Sequence, residues 1–210
     1  FKEREYIFLT IDEFNKRIDN NHKTVAFTFD DGFSNWIDTI PIFNKYDVKA
    51  TFYLNSIQFT TEPKEKFLSD IKCNDKNLLI TIDQLEAIKL NGHEIGAHTH
   101  SHKTLNNIEK EDFKYEVSKN LEILKLNNFE PKNFAVPFGM RRYIKNYQLD
   151  YLLGIFDSVA FGEPGMLYEQ KEGLIQRYPW KIEKSFKYNI NNISTNTSLF
   201  NNLTKRSGLG

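Results

Sequence analysis

The sequence predicts an α/β fold organised around a parallel sheet or barrel. Between Thr24 and Tyr178, short apolar segments rich in β-branched and aromatic residues alternate with segments whose apolar residues recur at helical spacing. This alternation is typical of parallel strands joined by crossover helices. The 210 residues are enough for one domain with a substantial core. The sequence contains no internal repeat and no sign of a second domain.

The predicted strands are short, and several of them end at residues suited to chemistry or to turns. They cover residues 24–29, 50–54, 94–97, 133–136, 158–161 and 173–178. A turn is predicted at Gly162-Glu163-Pro164-Gly165, between the last two strands. Asn91-Gly92 is expected to end the helix that precedes the strand at 94–97.

The predicted helices carry recognisable start signals. Thr10 with Glu13, and Thr81 with Gln84, have the spacing of capping boxes, and the first of these helices would continue through Phe14 and Ile18. Further helices are predicted from the spacing of apolar residues around Trp36 to Phe43, at 109–127 and at 143–153. Residues 60–77 are polar and Lys-rich and predict a surface loop. From Lys184 onward the signals are weak, and three Asn-x-Ser/Thr sequons there reflect asparagine abundance.

Composition excludes some classes of function. The 28 basic and 28 acidic residues balance, which argues against a general nucleic-acid-binding surface. No apolar run approaches the length of a membrane span. The single cysteine, Cys73, excludes an internal disulfide. Because the sequence starts at Phe1 and not at Met, it leaves the compartment unassigned, and it does not address the oligomeric state.

Two adjacent carboxylates follow the first predicted strand. Asp30, Asp31 and Gly32 stand directly after Phe29, at the carboxyl end of a strand, where the active sites of α/β sheets and barrels lie. Buried acidic side chains are costly unless their charge is compensated, and a metal ion is the usual compensation. An ordinary Asp-Asp-Gly turn would use the same residues, so this segment alone leaves both interpretations open.

Three of the five histidines lie within residues 98–102. His98 and His102 stand four residues apart, so one helical turn or tight loop can direct both imidazoles to one point, whereas His100 would point elsewhere. The segment follows the strand at 94–97, and parallel topology would bring it to the same edge as Asp31. Two imidazoles and a carboxylate suit a catalytic zinc ion, although a His-rich surface loop would have the same composition.

These segments resemble the motifs of a known family. Phe29-Asp30-Asp31-Gly32, His98-Thr99-x-Ser101-His102 and Phe134-x-x-Pro137-x-Gly139 are similar in order and spacing to the first three motifs of the polysaccharide deacetylases, the NodB homology domain of carbohydrate esterase family 4. The resemblance covers about Thr24 to Tyr178. It implies a distorted barrel of parallel strands and helices. Residues 1–210 would then form a single deacetylase-like domain, with a core at about 24–180, a leading helix segment at 1–23 and a weakly defined segment at 184–210.

The resemblance also implies chemical roles. Asp31, His98 and His102 would bind a divalent metal ion, first of all Zn²⁺, although Co²⁺, Ni²⁺ or Mn²⁺ could share the same ligands. Asp30 would be the general base towards a metal-bound water. The implied activity is the removal of N-acetyl groups from an amino-sugar polysaccharide or glycoconjugate, so the expected partner is an acetylated sugar polymer.

Other residues would line the site. The resemblance suggests the backbone N–H of Phe138 as the donor to the oxyanion, in a turn whose geometry Pro137 fixes beside the substrate. Trp180, which follows Pro179 at a strand end, is a candidate for stacking on a sugar ring. Trp36 could stack in the same way, but core packing suits it better.

The chain departs from the family pattern in two places. Ala135 stands where the third motif commonly has an arginine that steadies the catalytic aspartate, and the Phe-Ala-x-Pro-x-Gly form resembles a branch that lacks it. Arg177 could replace it by meeting the acetate, an oxyanion or Asp30, or could form a surface ion pair. Arg141 and Arg142 are further candidates for the missing charge. No histidine follows His102, so the family's usual general acid is absent.

Three alternatives therefore stay open at this point. The same site could remove O-acetyl groups as an esterase. Ala135 and the absent late histidine would also suit a catalytically degenerate sugar-binding domain. Two histidines and a carboxylate occur in non-haem Fe(II) oxygenases as well, but those proteins use an antiparallel double sheet, whereas this chain alternates strands and helices.

Overall fold

A curled parallel sheet forms the centre of the computed structural model, which describes residues 5–16, 23–162 and 172–192. The described strands are β1 (Ile7–Phe8), β2 (Thr24–Val25), β3 (Phe27–Phe29), β4 (Ala50–Leu54), β5 (Glu94–Ala97), β6 (Asn133–Ala135), β7 (Ser158–Phe161) and β8 (Leu174–Gln176). Six of them form the sheet, in the order β3-β4-β5-β6-β7-β8, and each neighbouring pair is parallel. The predicted α/β class is confirmed.

Helices follow most of the strands and cover the sheet. The α-helices are α1 (Ile11–Asn15), α2 (Ile40–Tyr46), α3 (Glu65–Asp70), α4 (Ile82–Leu90), α5 (Lys110–Leu126) and α6 (Asn146–Leu153). Short 3₁₀ helices lie at Ser34–Thr39, Ser56–Phe59, Lys76–Leu78, Leu105–Asn107 and Arg141–Tyr143. Both predicted capping boxes are present, on α1 and α4. In the part of the chain that the structure describes, no helix has the length and apolar character that a membrane crossing requires.

The sequence-based assignments differ most from the structure in the following places. Residues 60–77, predicted as a loop, contain α3; its Phe67, and Ile71 directly after its end, are buried against Ile57 and Leu79. The predicted strand 24–29 is divided, because β2 pairs with the unpredicted β1 while β3 pairs with β4. The predicted helix 143–153 begins at Asn146, after a 3₁₀ turn. The helix position Ile18, the turn residues 163–165 and the sequon residues beyond 192 lie outside the described residues.

An apolar core fills the space between the sheet and the helices. Phe52 and Phe134 are fully buried on β4 and β6, and Val117 and Leu124 of α5 belong to the same core cluster. Trp36, only 4% exposed, packs on Phe52 with ring centroids 4.9 Å apart. Trp36 is therefore a core residue, as its helical spacing predicted.

A polar network closes the amino-terminal end of the sheet. The carboxylate of Glu94, at the start of β5, accepts hydrogen bonds from the Thr51 hydroxyl at 2.7 Å, from the backbone N–H of Asp12 at 3.0 Å and from the Asn133 side chain. The Thr51 hydroxyl accepts a further bond from the N–H of Ile11 at 2.9 Å. Helix α1 is thus held at the amino ends of the strands, which leaves their carboxyl ends free for the site.

Candidate metal and active site

Three side chains from two strand ends converge at the carboxyl end of the sheet. One oxygen of Asp31, after β3, and one nitrogen each of His98 and His102, after β5, all lie within 4.8 Å of one another. The Asp31 Oδ1 atom is 3.4 Å from His98 Nε2 and 3.3 Å from His102 Nε2. The structure thus brings together the three residues for which the sequence predicted a metal-binding role.

The orientation of His98 suits metal binding. Its Nδ1 lies 2.8 Å from the carbonyl oxygen of Ala135 and so donates to it, which leaves Nε2 to face Asp31 and to bind a cation. A backbone carbonyl behind the ring is the usual way in which a metal-binding histidine is held in the correct tautomer. Oδ1 of Asp31 is buried, and no described residue forms a well-directed hydrogen bond with it. An acceptor-only oxygen beside two imidazole nitrogens fits a divalent cation of the zinc type.

The two imidazoles differ electrostatically. Burial lowers the pKa of His98, but the carboxylates of Asp30 and Asp31 outweigh this effect and raise that pKa above its ordinary value. Burial and the neighbouring His98 lower the pKa of His102 to about 4, so this ring is neutral at pH 7. The same carboxylates that favour a proton on His98 would favour a cation in its place.

Arg177 holds Asp30 beside this cluster. Its two terminal nitrogens donate to the two carboxylate oxygens of Asp30 at 2.7 and 2.8 Å, and one of them also donates to the Thr28 hydroxyl at 3.0 Å. The guanidinium lies over the ring of Tyr53, 5.2 Å from its centroid. Of the three partners that the sequence allowed for Arg177, the structure pairs it with Asp30. Oδ2 of Asp30 is 4.0 Å from His98 Nε2.

This pairing keeps Asp30 ionised. Burial raises the pKa of Asp30, but the positive charge of Arg177, aided by His98, His102 and the hydrogen bonds from Arg177, lowers it to about 2. A bidentate arginine also fixes the plane of the carboxylate. Asp30 is therefore a charged and oriented group next to the cluster.

The loop after β6 forms another wall of the site. Phe138 has a positive φ of 61° and is 42% exposed, and its ring centroid lies 4.5 Å from that of His102. Its backbone N–H makes no hydrogen bond within the described ranges. Pro137, before it, is buried. A Cβ on Gly139 would lie 2.9 Å from the backbone of Gly162, so only glycine allows these two loops to approach this closely.

Strained backbone is concentrated around the cluster. Four of the eight non-glycine residues with positive φ in the described part of the chain belong to this region, namely Asp31, Thr99, His102 and Phe138. Each such residue costs of order 1–3 kcal/mol and persists only where its surroundings fix it. Strain of this kind is typical of functional sites.

The other candidate residues lie elsewhere. His100 points away from the cluster, with Nδ1 2.8 Å from the Ser56 hydroxyl and Nε2 3.2 Å from Glu62. Arg141 donates to the Ile144 carbonyl and to Asn146, and Arg142 lies over the ring of Tyr143. Trp180 is 42% exposed and packs on Phe186. Its stacking on a sugar stays a prediction.

Sequence reasoning missed the residues that support the cluster. Glu116 of α5, fully buried, accepts hydrogen bonds from the backbone N–H of Ser101 at 2.7 Å and from its hydroxyl at 2.5 Å. Asn120, one turn later, donates to the Thr99 carbonyl at 2.7 Å. A signal was available, since these two polar residues lie among the apolar positions of an amphipathic helix. Buried polar residues of that kind need partners.

The comparisons with known families and with curated proteins both match this chain to deacetylases. Residues 17–150 match the model of the family described as polysaccharide deacetylase. A peptidoglycan-N-acetylglucosamine deacetylase from Bacillus cereus is 33% identical over 123 residues, which is 57% of this chain and 38% of that relative. This chain therefore spans well under half the length of the curated relative.

Solved structures share the fold. The deacetylase PplD of Streptococcus pyogenes, in complex with acetate, superposes with a TM-score of 0.69 at 22% identity, over 93% of this chain and 81% of its own. A de-N-acetylase from Aggregatibacter actinomycetemcomitans gives a TM-score of 0.71 at 18% identity, over 91% of this chain and 84% of its own. At such identities the likeness bears on the fold alone, and it agrees with the expected distorted barrel.

Proposed function

The chain belongs to the polysaccharide deacetylase family, and from this premise we propose that it is a metal-dependent hydrolase that removes N-acetyl groups from an amino-sugar polysaccharide or glycoconjugate. One observation carries the proposal beyond family membership. An ionised carboxylate, Asp30, is fixed by Arg177 at 4.0 Å from a ring of the Asp31–His98–His102 cluster. A base beside a metal site is the arrangement that metal-assisted amide hydrolysis uses.

In this proposal Asp31, His98 and His102 hold the divalent cation, with Zn²⁺ as the first choice and Co²⁺, Ni²⁺ or Mn²⁺ as alternatives. When bound, such a cation lowers the pKa of water and polarises a carbonyl oxygen. The fit rests on the donor set, since two imidazole nitrogens and a carboxylate oxygen leave coordination positions open. The carbonyl of Ala135 keeps His98 in the tautomer that this role needs.

Asp30 accepts the proton of the attacking water. Arg177 keeps the carboxylate ionised and in one orientation, and the low pKa that results makes Asp30 a weaker base than an unpaired carboxylate. Arg177 therefore has two opposing effects on the reaction: it positions the Asp30 carboxylate, and it lowers the basicity of that carboxylate. The gain is the larger in this proposal, because a misplaced base cannot reach its proton at all.

The backbone N–H of Phe138 donates to the oxyanion that forms when water adds to the acetyl carbonyl. Its lack of a partner among the described residues supports this assignment. The leaving amine needs a proton when the C–N bond breaks, and no histidine follows His102 in the sequence. Asp30 then returns to the amine nitrogen the proton that it took from water, so that one carboxyl group serves both steps.

The test is acetate release by the purified chain, measured with N-acetylated chito-oligosaccharides and with acetylated xylan in the presence of each of the four cations. We expect acetate and free amine in equal amounts from the chito-oligosaccharide, and loss of activity with a chelator. Acetate from xylan alone would instead identify an O-acetyl esterase.

Metal binding without acetate release from either substrate would overturn the proposed activity and favour a degenerate sugar-binding domain. The six described strands of the sheet are all parallel, which does not fit the antiparallel double sheet of the oxygenase alternative. Turnover in the absence of oxygen would exclude it independently.

A further inference from the structure

We infer that the four residues after β4, Asn55 to Gln58, position the two ligand-bearing segments relative to each other although none of them is a ligand. We call them the bridging segment. Asp31 comes from the turn after β3, whereas both histidines come from the loop after β5. Strand β4 lies between β3 and β5 in the sheet, so the chain that leaves β4 is the natural link between the two. This inference rests on the proposed metal site.

Towards the histidine loop, the bridging segment makes contacts through three residues. The Asn55 side chain donates to the carbonyls of His98 and Thr99. The hydroxyl of Ser56 lies 2.8 Å from His100 Nδ1, and the backbone N–H of Ile57 donates to the His100 carbonyl at 3.0 Å. Asn55 and Ser56 are fully buried, so water does not compete for these bonds. They hold the loop on both sides of its strained residue Thr99.

Towards Asp31, the contact is made by Gln58 alone. Its side-chain nitrogen donates to the Asp31 carbonyl at 3.3 Å and to the Asn55 carbonyl at 2.8 Å. Both partners are carbonyl oxygens, so the amide can face them only with its NH₂ group. Gln58 therefore links the Asp31 turn to the segment that grips the histidine loop.

The shape of the Asp31 turn depends on the same contact. Asp31 and Gly32 have φ values of 82° and 85°. A Cβ on Gly32 would lie 2.3 Å from Nε2 of Gln58. The glycine thus provides both the backbone conformation and the space into which the Gln58 amide fits. Without the amide, the strained turn would lose the group that ties it to the histidines.

The test is the affinity of the metal-free protein for Zn²⁺, measured by chelator competition in wild type, Gln58→Met and Ser56→Ala. Gln58→Met keeps the length of the side chain and removes its donor. Removal of a group that hydrogen-bonds directly to a metal ligand typically changes metal affinity 10–100-fold. Gln58 acts on the backbone of a ligand and Ser56 on the loop that carries two ligands, so we expect both variants to bind Zn²⁺ about 10-fold more weakly, at the lower end of that range, with unchanged circular dichroism.

Gln84→Met is the matched control, because it removes a glutamine amide that caps α4 away from the site. Its Zn²⁺ affinity should equal that of wild type. The melting temperatures of the metal-free proteins distinguish a structural role of Gln58 from a positioning role. A positioning role leaves the melting temperature of Gln58→Met close to wild type while its increase on adding Zn²⁺ shrinks.

Zn²⁺ affinity of Gln58→Met within twofold of wild type would overturn the inference, as would a wild-type protein that binds no Zn²⁺. Failure of the proposed activity is distinguishable from both outcomes. A wild-type protein that binds Zn²⁺ but releases no acetate would refute the deacetylase proposal, while the comparison of affinities would still decide the role of Gln58.

Discussion

Asp30 and Asp31 are neighbours in sequence but have different surroundings. Asp30 accepts two hydrogen bonds from Arg177, whereas Asp31 directs a buried oxygen towards two imidazoles. The difference follows from the turn, because the positive φ of Asp31 sends consecutive side chains towards different partners. The two adjacent carboxylates can thus have different roles, and substitutions of Asp30 and of Asp31 should have different effects.

The first prediction concerns Asp30→Asn. The amide cannot accept the proton of water, and removal of a general base typically costs a factor of about 10²–10⁴ in rate. We expect a loss of that size in kcat for acetate release, with Zn²⁺ binding retained. Asp31→Asn is the control, and it should lose Zn²⁺ affinity instead. Near-normal turnover by Asp30→Asn would show that the base has been misassigned.

The second prediction concerns Arg177→Lys. Lysine keeps the positive charge but cannot form two parallel hydrogen bonds to one carboxylate. We expect kcat to fall by about 10–100-fold through misplacement of Asp30, with little change in KM or in Zn²⁺ affinity. Arg141→Lys is a matched control, since Arg141 contacts Ile144 and Asn146 and not Asp30. Equal effects of the two substitutions on kcat would contradict the positioning role of Arg177.

At the scale of elements, the carboxyl ends of the strands carry the site and their amino ends carry the anchor of α1. At the amino ends of the strands, Glu94 accepts hydrogen bonds from Thr51, Asn133 and the backbone of Asp12. These bonds join β4, β5, β6 and α1, so the network acts on the packing of elements and not on the reaction.

The third prediction is that Glu94→Gln destabilises the protein without reducing kcat. The glutamine NH₂ group would face donors and leave them unsatisfied, which costs about 1–3 kcal/mol. Chemical denaturation measures this loss. Glu86→Gln, on the exposed side of α4, should change the free energy of unfolding by less than about 0.5 kcal/mol. If the two variants are equally stable, the network does not anchor α1.

An element could be predicted when it was long enough and when its sequence, or the turn beside it, carried a recognisable pattern. The strand at 50–54 was correct because its apolar and β-branched run is long enough to recognise. The strand at 94–97 has no such run, and it was recognised because Asn91-Gly92 ends the helix before it and the histidine segment follows it. Strand β1 has two residues and no pattern of its own. Helix α3 was missed because its many charged residues hid the buried pair Phe67 and Ile71, four residues apart. That spacing was the available signal.

At the scale of the whole molecule, we expect acid to lower the folding stability, because the native state disfavours a proton on the buried His93. This residue is 4% exposed, lies edge-on to Phe43 and Phe52, and has no hydrogen-bond partner on either ring nitrogen among the described residues. Burial, together with the charge of Lys49, lowers the pKa of His93 to about 4. In the unfolded chain the pKa of histidine is about 6.5.

The fourth prediction follows from this difference in pKa. Between pH 6.5 and 4 the unfolded chain binds a proton that the native His93 does not, so stability falls as the pH falls through this window. We expect a loss of about 1–2 kcal/mol between pH 7 and 5 from His93. His102, whose pKa is lowered, adds to this loss, and His98, whose pKa is raised, opposes it. His93→Phe should lose less stability over the same range, as measured by urea denaturation at each pH. An unchanged pH dependence would mean that His93 is not the titrating group.

The site could be predicted in part because its motifs are local. Asp30-Asp31 and His98 to His102 each lie on one short segment, and parallel topology alone places strand ends together. The partner of Arg177 could not be chosen from sequence, because 147 residues separate it from Asp30. Gln58 could not be chosen either, since its role depends on which backbone groups the fold leaves beside it. Glu116 was marked by its place among the apolar positions of α5, but that signal does not identify its partner.

Arg177 also joins the two edges of the sheet, because it follows β8 and reaches Thr28 and Asp30 at the end of β3. One guanidinium therefore couples the last strand of the sheet to the carboxylate that follows the first. A change that displaces β8 would also release the plane of the Asp30 carboxylate, although the two lie 147 residues apart in sequence.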